Sequence, residues 1–233
     1  MPTLYLIPTP LADDTAPQVL SPTIVDVIAA TDAYFVENLR TARRFITELK
    51  TGRVIDETTI HLLDKDTPQA DTRKQMQELM ERKRNAGVMS EAGCPGVADP
   101  GAVVVQIAHK LGWKVVPLVG PSSILLALMA SGLSGQSFVF HGYLPIDRHD
   151  RGRALRFLEK EAQQRFQTQI FMETPYRNNH MMTEILAQCQ PETRLCVASN
   201  ITLPDAFIQT RTVREWKSQL PDLHKKPTVF LLL

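Results

Sequence analysis

The chain has 233 residues, of which 43% are hydrophobic and 22% charged, a composition typical of a globular protein. Its 26 Lys and Arg residues almost balance its 25 Asp and Glu residues, so the formal net charge is +1 at pH 7. This balance excludes a protein that binds nucleic acid or membrane through its overall charge, and any such binding requires a local patch. The length allows one large domain or two small ones.

The cysteines and histidines argue against disulfide and metal scaffolds. Three scattered cysteines without CxxC spacing suit a reducing compartment, and the six histidines show no HExxH and no cluster with acidic residues. The N-terminus has no charged region followed by a long apolar run, and the most apolar later stretch, residues 122–133, is too short to span a bilayer. The sequence therefore predicts a cytoplasmic protein with no membrane contact and no bound metal.

The first elements read as alternating strands and helices. Residues 4–7 form an apolar run typical of a buried strand, which stops at the two prolines of residues 8–10. Ser21 is expected to cap a helix over residues 22–30, and residues 33–36 form the next strand. Glu37 follows that strand, where it could be catalytic or could help cap a helix over residues 41–50. From the residues alone, the cap is favoured.

The most distinctive stretch of the chain lies at residues 90–101, with the sequence SEAGCPGVADPG. A short strand over residues 87–89 leads into it, and a helix over residues 102–111 follows, with Asp99 as the expected N-cap and Pro100 at its first position. A glycine-rich loop between a strand and a helix lets a ligand approach bare backbone. The alternative is a tight crossover turn without a ligand.

A second loop of small residues follows the next strand. Residues 114–119 form that strand, residues 120–123 (GPSS) form the loop, and residues 124–130 form a second apolar helix. Two such loops at the carboxyl ends of neighbouring strands are where open α/β sheets place ligands. The pair of loops therefore favours a binding site.

The second half has more strands per helix than the first. Strands are expected at residues 137–141, 168–172, 195–198, 206–211 and 228–232, with helices ending at residue 188 and around residues 213–219. The fold class is therefore α/β with two α/β domains, residues 1–118 with a parallel-rich sheet and residues 119–233 with a mixed sheet. Between the first two of these strands, Arg148, Arg151 and Arg153 mark either an exposed helix start or a loop that contacts phosphate.

Several common functional motifs are absent. The chain has no GxGxxG after a strand, no GxxxxGK[ST] and no GxSxG. These absences count against a dehydrogenase, a P-loop protein and a hydrolase, and they leave a transferase or a binding protein.

The motifs that are present resemble those of the tetrapyrrole methylase superfamily. The resemblance rests on residues 4–10, 90–101 and 116–123, and it continues in the same order through residues 131–133, 140–145 and 171–177. Within the superfamily the chain is most similar to the bacterial branch that methylates a cytidine ribose 2′-hydroxyl of small-subunit ribosomal RNA. The resemblance implies two α/β domains, S-adenosylmethionine in the cleft between them, and a homodimer.

Carried over by position, the resemblance also implies functional residues. Glu37 is the carboxylate that matches the position of a general base for the hydroxyl proton. Phosphate contacts are expected from arginines, since a nearly neutral chain must bind RNA through a local patch; the candidates are Arg40, Arg148, Arg151, Arg153 and Arg177. The residues expected to touch the cofactor are Pro8, Ser90, Glu91, Ala92, Gly93, Ser122, Ser123 and Met172.

The chain departs from the ribosomal RNA branch on the substrate side. Where that branch carries Glu-Asp-Thr-Arg, this chain has ENLR at residues 37–40. Where the branch carries Arg-Glu-x-Thr-Lys and Lys-Gly-Glu, this chain has SNITL at residues 199–203 and KPT at residues 226–228. These departures predict a divergent paralogue that binds the cofactor normally and methylates the usual cytidine poorly or not at all. Two alternatives stay open: a methyltransferase acting on a small molecule such as a tetrapyrrole, and a non-catalytic paralogue that binds RNA or the ribosome.

Overall fold

A computed structural model describes residues 1–31, 33–52 and 58–233 of the chain. The chain divides into two units, Met1–Ser122 and Ser123–Leu233. The boundary expected after residue 118 stays a prediction, and the division by internal contacts falls four residues later. Within the described ranges, no helix is both long enough and apolar enough to cross a membrane.

The first unit is built on a five-stranded sheet in the order β3-β2-β4-β1-β5, in which every described pairing is parallel. This confirms the parallel-rich sheet that the alternating elements predicted. The strands are β1 (Thr3–Ile7), β2 (Ala33–Val36), β3 (Thr59–Leu62), β4 (Ala86–Met89) and β5 (Lys114–Pro117), and the helices are α1 (Ala16–Val19), α2 (Pro22–Ala30), α3 (Leu39–Glu48), α4 (Gln69–Glu81) and α5 (Gly101–Leu111).

Two apolar clusters cover the faces of this sheet. One packs Leu4, Phe35 and Val88 with residues of α4 and α5, and the other packs Ile7 and Tyr34 with residues of α2 and α3. The central strands β2 and β4 are buried along their whole length, which explains why they read as continuous apolar runs. This packing fixes the carboxyl ends of β1, β2 and β4 side by side on one edge of the sheet.

The second unit is built on a mixed five-stranded sheet in the order β6-β7-β10-β8-β9. Only β6 and β7 pair in parallel, and the other pairings are antiparallel, which confirms the predicted mixed sheet. The strands are β6 (Phe138–Tyr143), β7 (Thr168–Glu173), β8 (Arg194–Ser199), β9 (Phe207–Thr212) and β10 (Thr228–Leu232), and the helices are α6 (Ser123–Ser131), α7 (Arg148–Arg165), α8 (Asn178–Gln188) and α9 (Val213–Trp216).

Two local expectations are corrected by the structure. The N-cap of α5 is Pro100 rather than Asp99, whose side-chain oxygen instead accepts hydrogen bonds from the backbone N–H groups of Gly96 (2.7 Å) and Gly101 (2.6 Å). The loop interpretation of the arginine group is also wrong. Helix α7 begins at Arg148 with Asp147 as its N-cap, so these arginines lie on helical turns.

Candidate functional site

A pocket opens at the edge of the first sheet where β1, β2 and β4 end. It contains about 600 Å³ of empty space, part of it open to solvent. Three segments form its walls: residues 9–14 after β1, residues 36–38 together with α3, and residues 89–92 after β4. The carboxyl ends of parallel strands are the usual place for a ligand in an open α/β sheet.

The turn after β4 is held in place by hydrogen bonds to the chain after β1. Thr9 and Gly93 exchange both backbone hydrogen bonds, at 3.0 and 3.1 Å. The Ser90 hydroxyl donates to the Gly93 carbonyl (3.1 Å), and the Thr9 hydroxyl donates to the Ser90 carbonyl (3.3 Å). These bonds fix the positions of Ser90, Glu91 and Ala92 on the pocket wall.

Close packing explains why glycine occupies position 93. Its φ angle is +81°, a conformation that L side chains rarely adopt, and an added Cβ would lie 3.2 Å from Leu11 Cδ2 and 3.4 Å from the Pro121 carbonyl oxygen. Because its backbone N–H and C=O groups both bond to Thr9, Gly93 fixes the shape of the turn. The second small-residue loop is packed more tightly still, because a Cβ on Gly120 would lie 2.2 Å from Pro8 Cβ.

Glu37 stands directly after β2, half-buried in the pocket wall. Burial, with the negative charges of Asp99 and Glu91, raises the pKa of its carboxyl to about 7, against a hydrogen bond from the Glu91 backbone that lowers it. Burial also raises the pKa of Asp99, although the N–H groups of Gly96 and Gly101 oppose that shift. Glu37 is therefore divided between its two protonation states near neutral pH, as a general base requires.

The capping role expected after β2 belongs to the neighbour of Glu37. The Asn38 side-chain oxygen accepts hydrogen bonds from the backbone N–H groups of Arg40 (3.0 Å) and Thr41 (3.2 Å), which caps α3. Asn38, and not Glu37, is therefore the N-cap of α3. Arg40 is exposed at the start of α3 and does not line the pocket.

The predicted arginines of the second unit make protein contacts. Arg177 pairs with Glu173 at 2.6 Å, and because that carboxylate is only 2% exposed, the arginine neutralises a buried charge. Arg148 contacts Glu184 at 3.3 Å, and Arg153 contacts Asp150 at 2.5 Å. Arg151 has no carboxylate partner among the described residues and donates to the backbone carbonyl of Ile146 at 2.8 Å.

The remaining predicted cofactor residues are distributed over both units. Ser122 is the last residue of the first unit, and Ser123 begins α6 in the second. Met172 is partly buried in β7, opposite Val229 of β10 and Tyr143 of β6. That these residues bind one ligand together with the turn after β4 stays a prediction.

One group of potential metal ligands was not foreseen. Among the described residues, Asp147, His149 and Asp150 place ligand atoms within 4.8 Å of one another. The two carboxylates already act in the protein, since Asp147 caps α7 and Asp150 pairs with Arg153. The cluster is therefore explained by the helix start.

Comparisons with known proteins identify the family. Residues 3–216 match the family model described as Tetrapyrrole (Corrin/Porphyrin) Methylases. The chain belongs to this family. It is similar to a protein named ribosomal RNA small subunit methyltransferase I from Vibrio cholerae, at 30% identity over 100% of this chain and 77% of the relative. A Bacillus subtilis protein of the same name is 28% identical over 85% of this chain and 63% of its own length.

Solved structures of low identity share the fold. Diphthine synthase has a TM-score of 0.65 at 14% identity, covering 99% of this chain and 89% of that one. The methyltransferase CobJ has a TM-score of 0.63 at 16% identity, covering 99% and 92%. The predicted fold class is confirmed, and family membership and relatives together confirm the prediction of a methyltransferase.

Sequence reasoning missed one wall of the pocket. The side of α3 that carries Thr41, Arg44 and Glu48 faces the cavity, and Arg44 forms a 2.7 Å ion pair with Asp13 in the segment after β1. Counted from Glu37, these residues follow at intervals of four, three and four, which is the spacing of one face of a helix. The sequence could therefore have indicated this wall of the pocket.

Proposed function

We propose that this methyltransferase of the tetrapyrrole methylase family transfers a methyl group from S-adenosylmethionine to a ribose 2′-hydroxyl of ribosomal RNA. The observation that carries the proposal is the Glu37 carboxyl, whose pKa of about 7 suits proton transfer and which lies in a pocket at the strand ends. The relatives named as ribosomal RNA methyltransferases support the choice of substrate.

The chemistry of the pocket suits the proposed methyl donor. S-adenosylmethionine carries a positive sulfonium and a positive ammonium group, and Glu37 and Glu91 place carboxylates in the pocket wall. Bound there, it supplies a methyl group that the sulfonium already activates. The residues proposed to hold it are those of the turn after β4, namely Ser90, Glu91, Ala92 and Gly93, with Pro8, Ser122, Ser123 and Met172.

Glu37 acts on the proton of the acceptor hydroxyl. Because its pKa lies near 7, a large fraction of the carboxylate is ionised at neutral pH and can accept that proton as the oxygen attacks the methyl group. The rest of the task is alignment, since an in-line displacement at an activated methyl group needs mainly proximity and orientation. The turn after β4, which the Thr9–Gly93 bridge holds in place, provides a rigid wall for this purpose.

We infer the partners and setting from the same relatives. Ribosomal RNA or the small ribosomal subunit is the proposed partner. The arginines proposed to contact its phosphates are Arg40, Arg148, Arg151, Arg153 and Arg177. A homodimer in the cytoplasm is part of this proposal.

A methyl-transfer assay tests the proposed function. The pure protein is incubated with labelled S-adenosylmethionine and small ribosomal subunits from a strain that lacks this gene. Label is expected in RNA, and Glu37→Gln is expected to reduce the rate by about 10²- to 10⁴-fold, the usual contribution of a general base. Glu48→Gln, a change at another carboxylate of the pocket, is the control. Absence of label from RNA with transfer to a tetrapyrrole would contradict the proposal.

A further inference from the structure

One edge of the second sheet brings together the ends of three strands. The carboxyl ends of the parallel strands β6 and β7 lie there, next to the amino end of β10, whose Thr228 pairs with Glu173. The Lys225 backbone N–H donates to the Pro175 carbonyl at 3.0 Å, which joins the turn before β10 to the turn after β7. Residues distant in sequence thus meet at this edge.

Two tyrosines are exposed at this edge. Tyr143 ends β6 and is 58% exposed, and Tyr176 lies in the turn after β7 and is 68% exposed. The Tyr176 ring contacts the His224 ring edge to face, with 6.2 Å between centroids and 73° between planes. Exposed aromatic rings offer flat faces on which nucleic-acid bases stack, whatever their sequence.

The turn that presents His224 is held by side-chain hydrogen bonds. Asp222 accepts from the His224 backbone N–H (3.1 Å) and from the Asn179 side chain (2.9 Å), and the Asn179 oxygen accepts from the Leu223 backbone N–H (2.8 Å). A surface ordered before binding loses less conformational entropy when a ligand arrives.

The charges at this edge leave positive groups available. Within the described ranges, Lys225 and Lys226 form no ion pair, and Lys226 lies near enough to the exposed Asp222 carboxylate to interact with its charge. The acids nearby already accept hydrogen bonds from the protein: Glu173 from Arg177, Asp222 from Asn179 and Asp205 from Asn200. Aromatic rings next to unpaired cations are the combination that binds single-stranded nucleic acid.

We propose that this edge binds an unpaired RNA strand, with Tyr143 and Tyr176 stacking on bases and Lys225 and Lys226 contacting phosphates. The inference rests on the proposed function for the choice of RNA and deepens it by naming a single-stranded substrate. A duplex does not fit this arrangement, because its bases are stacked on one another and their faces are inaccessible.

Binding of a fluorescent 12-nucleotide unpaired RNA, followed by anisotropy without methyl donor, tests the stacking role. Tyr176→Ala is expected to weaken binding by about 5- to 140-fold, from the usual 1–3 kcal/mol of base stacking. Tyr176→Phe keeps the ring and is expected to bind as wild type. Phe157→Ala removes a ring that is 58% exposed in the middle of α7 and is the matched control. The same strand in a duplex is expected to bind more weakly.

The salt dependence of the same binding tests the lysines. Replacing both Lys225 and Lys226 by Gln is expected to reduce the slope of log K against log salt by about 1.4, and Lys217→Gln is expected to leave it unchanged. Equal binding by wild type and Tyr176→Ala, or a preference for duplex, overturns the inference. If the inference fails in this way, methyl transfer to ribosomal RNA would still support the proposed function. Conversely, RNA binding that depends on Tyr176 but is followed by no methyl transfer would refute the proposed function and leave the inference standing.

Discussion

Replacing Glu37 by glutamine should stabilise the protein at alkaline pH while it slows methyl transfer. The pKa of Glu37 is raised from an ordinary 4.5 to about 7 in the folded chain, so folding favours its protonated form. The free energy of unfolding therefore falls as the pH rises from about 4.5 through 7. At 1.36 kcal/mol per pH unit, the loss of unfolding free energy has an upper limit of about 3.4 kcal/mol. Partial solvent exposure of the carboxylate reduces this loss to roughly 1–2 kcal/mol.

Thermal unfolding at two pH values measures this effect. Glutamine retains an oxygen to accept the hydrogen bond from the Glu91 backbone but carries no charge. The Tm of Glu37→Gln should exceed that of wild type by about 2–8 °C at pH 8 and match it near pH 4.5. Glu48→Gln, which changes another carboxylate of the same pocket, should show no such pH-dependent gain. The reasoning is refuted by an equal Tm difference at both pH values or by a lower Tm at pH 8.

Three further changes have defined outcomes. Gly93→Ala should cost about 1–3 kcal/mol in urea unfolding, because its φ is +81° and the new Cβ would press on Leu11; an unchanged midpoint would contradict this strain. Arg177→Ala should cost about 3–5 kcal/mol by leaving the buried Glu173 carboxylate unpaired, whereas Arg153→Ala, from an exposed pair, should cost under about 1 kcal/mol. S-adenosylmethionine at about 100 times its Kd should raise the Tm by about 5–11 °C, and no shift at millimolar concentration would refute binding.

Much of the fold could be predicted because its strands are buried. The predicted bounds of β2 and β10 match the structure, and every residue of both strands is buried. The Ser21 cap of α2 is also confirmed by its hydrogen bond with the Thr23 backbone N–H. Local chemistry and burial decide such elements without help from distant residues.

The electrostatics of the pocket could not be predicted in the same way. The raised pKa of Glu37 depends on burial and on Asp99 and Glu91, which are more than 50 residues away in sequence. The role of Asp99 was misassigned for a related reason, because its side chain bonds back to Gly96 as well as forward to Gly101. Such contacts follow from the path of a loop, which periodicity does not encode.

The departures from the ribosomal RNA branch have structural roles in this chain. Asn38 caps α3, and Ser199, only 1% exposed, accepts a hydrogen bond from Thr228 across the β8–β10 pair at 3.1 Å. Asn200 donates to Asp205 at 2.8 Å. These contacts give each of the three neutral side chains a structural role at a position where the branch carries a charged residue. Poor methylation of the usual cytidine stays a prediction, which mapping of 2′-O-methyl groups in treated ribosomal RNA would check.

The pH dependence of single-turnover methyl transfer to small-subunit RNA tests the central claim most directly. If Glu37 accepts the hydroxyl proton, the rate should rise about tenfold per pH unit below 7 and level off above it, with the midpoint near the pKa of this carboxyl. In Glu37→Gln the slower rate should lose this midpoint. A wild-type rate that is constant between pH 5.5 and 8.5, or label that never enters RNA, would contradict the account.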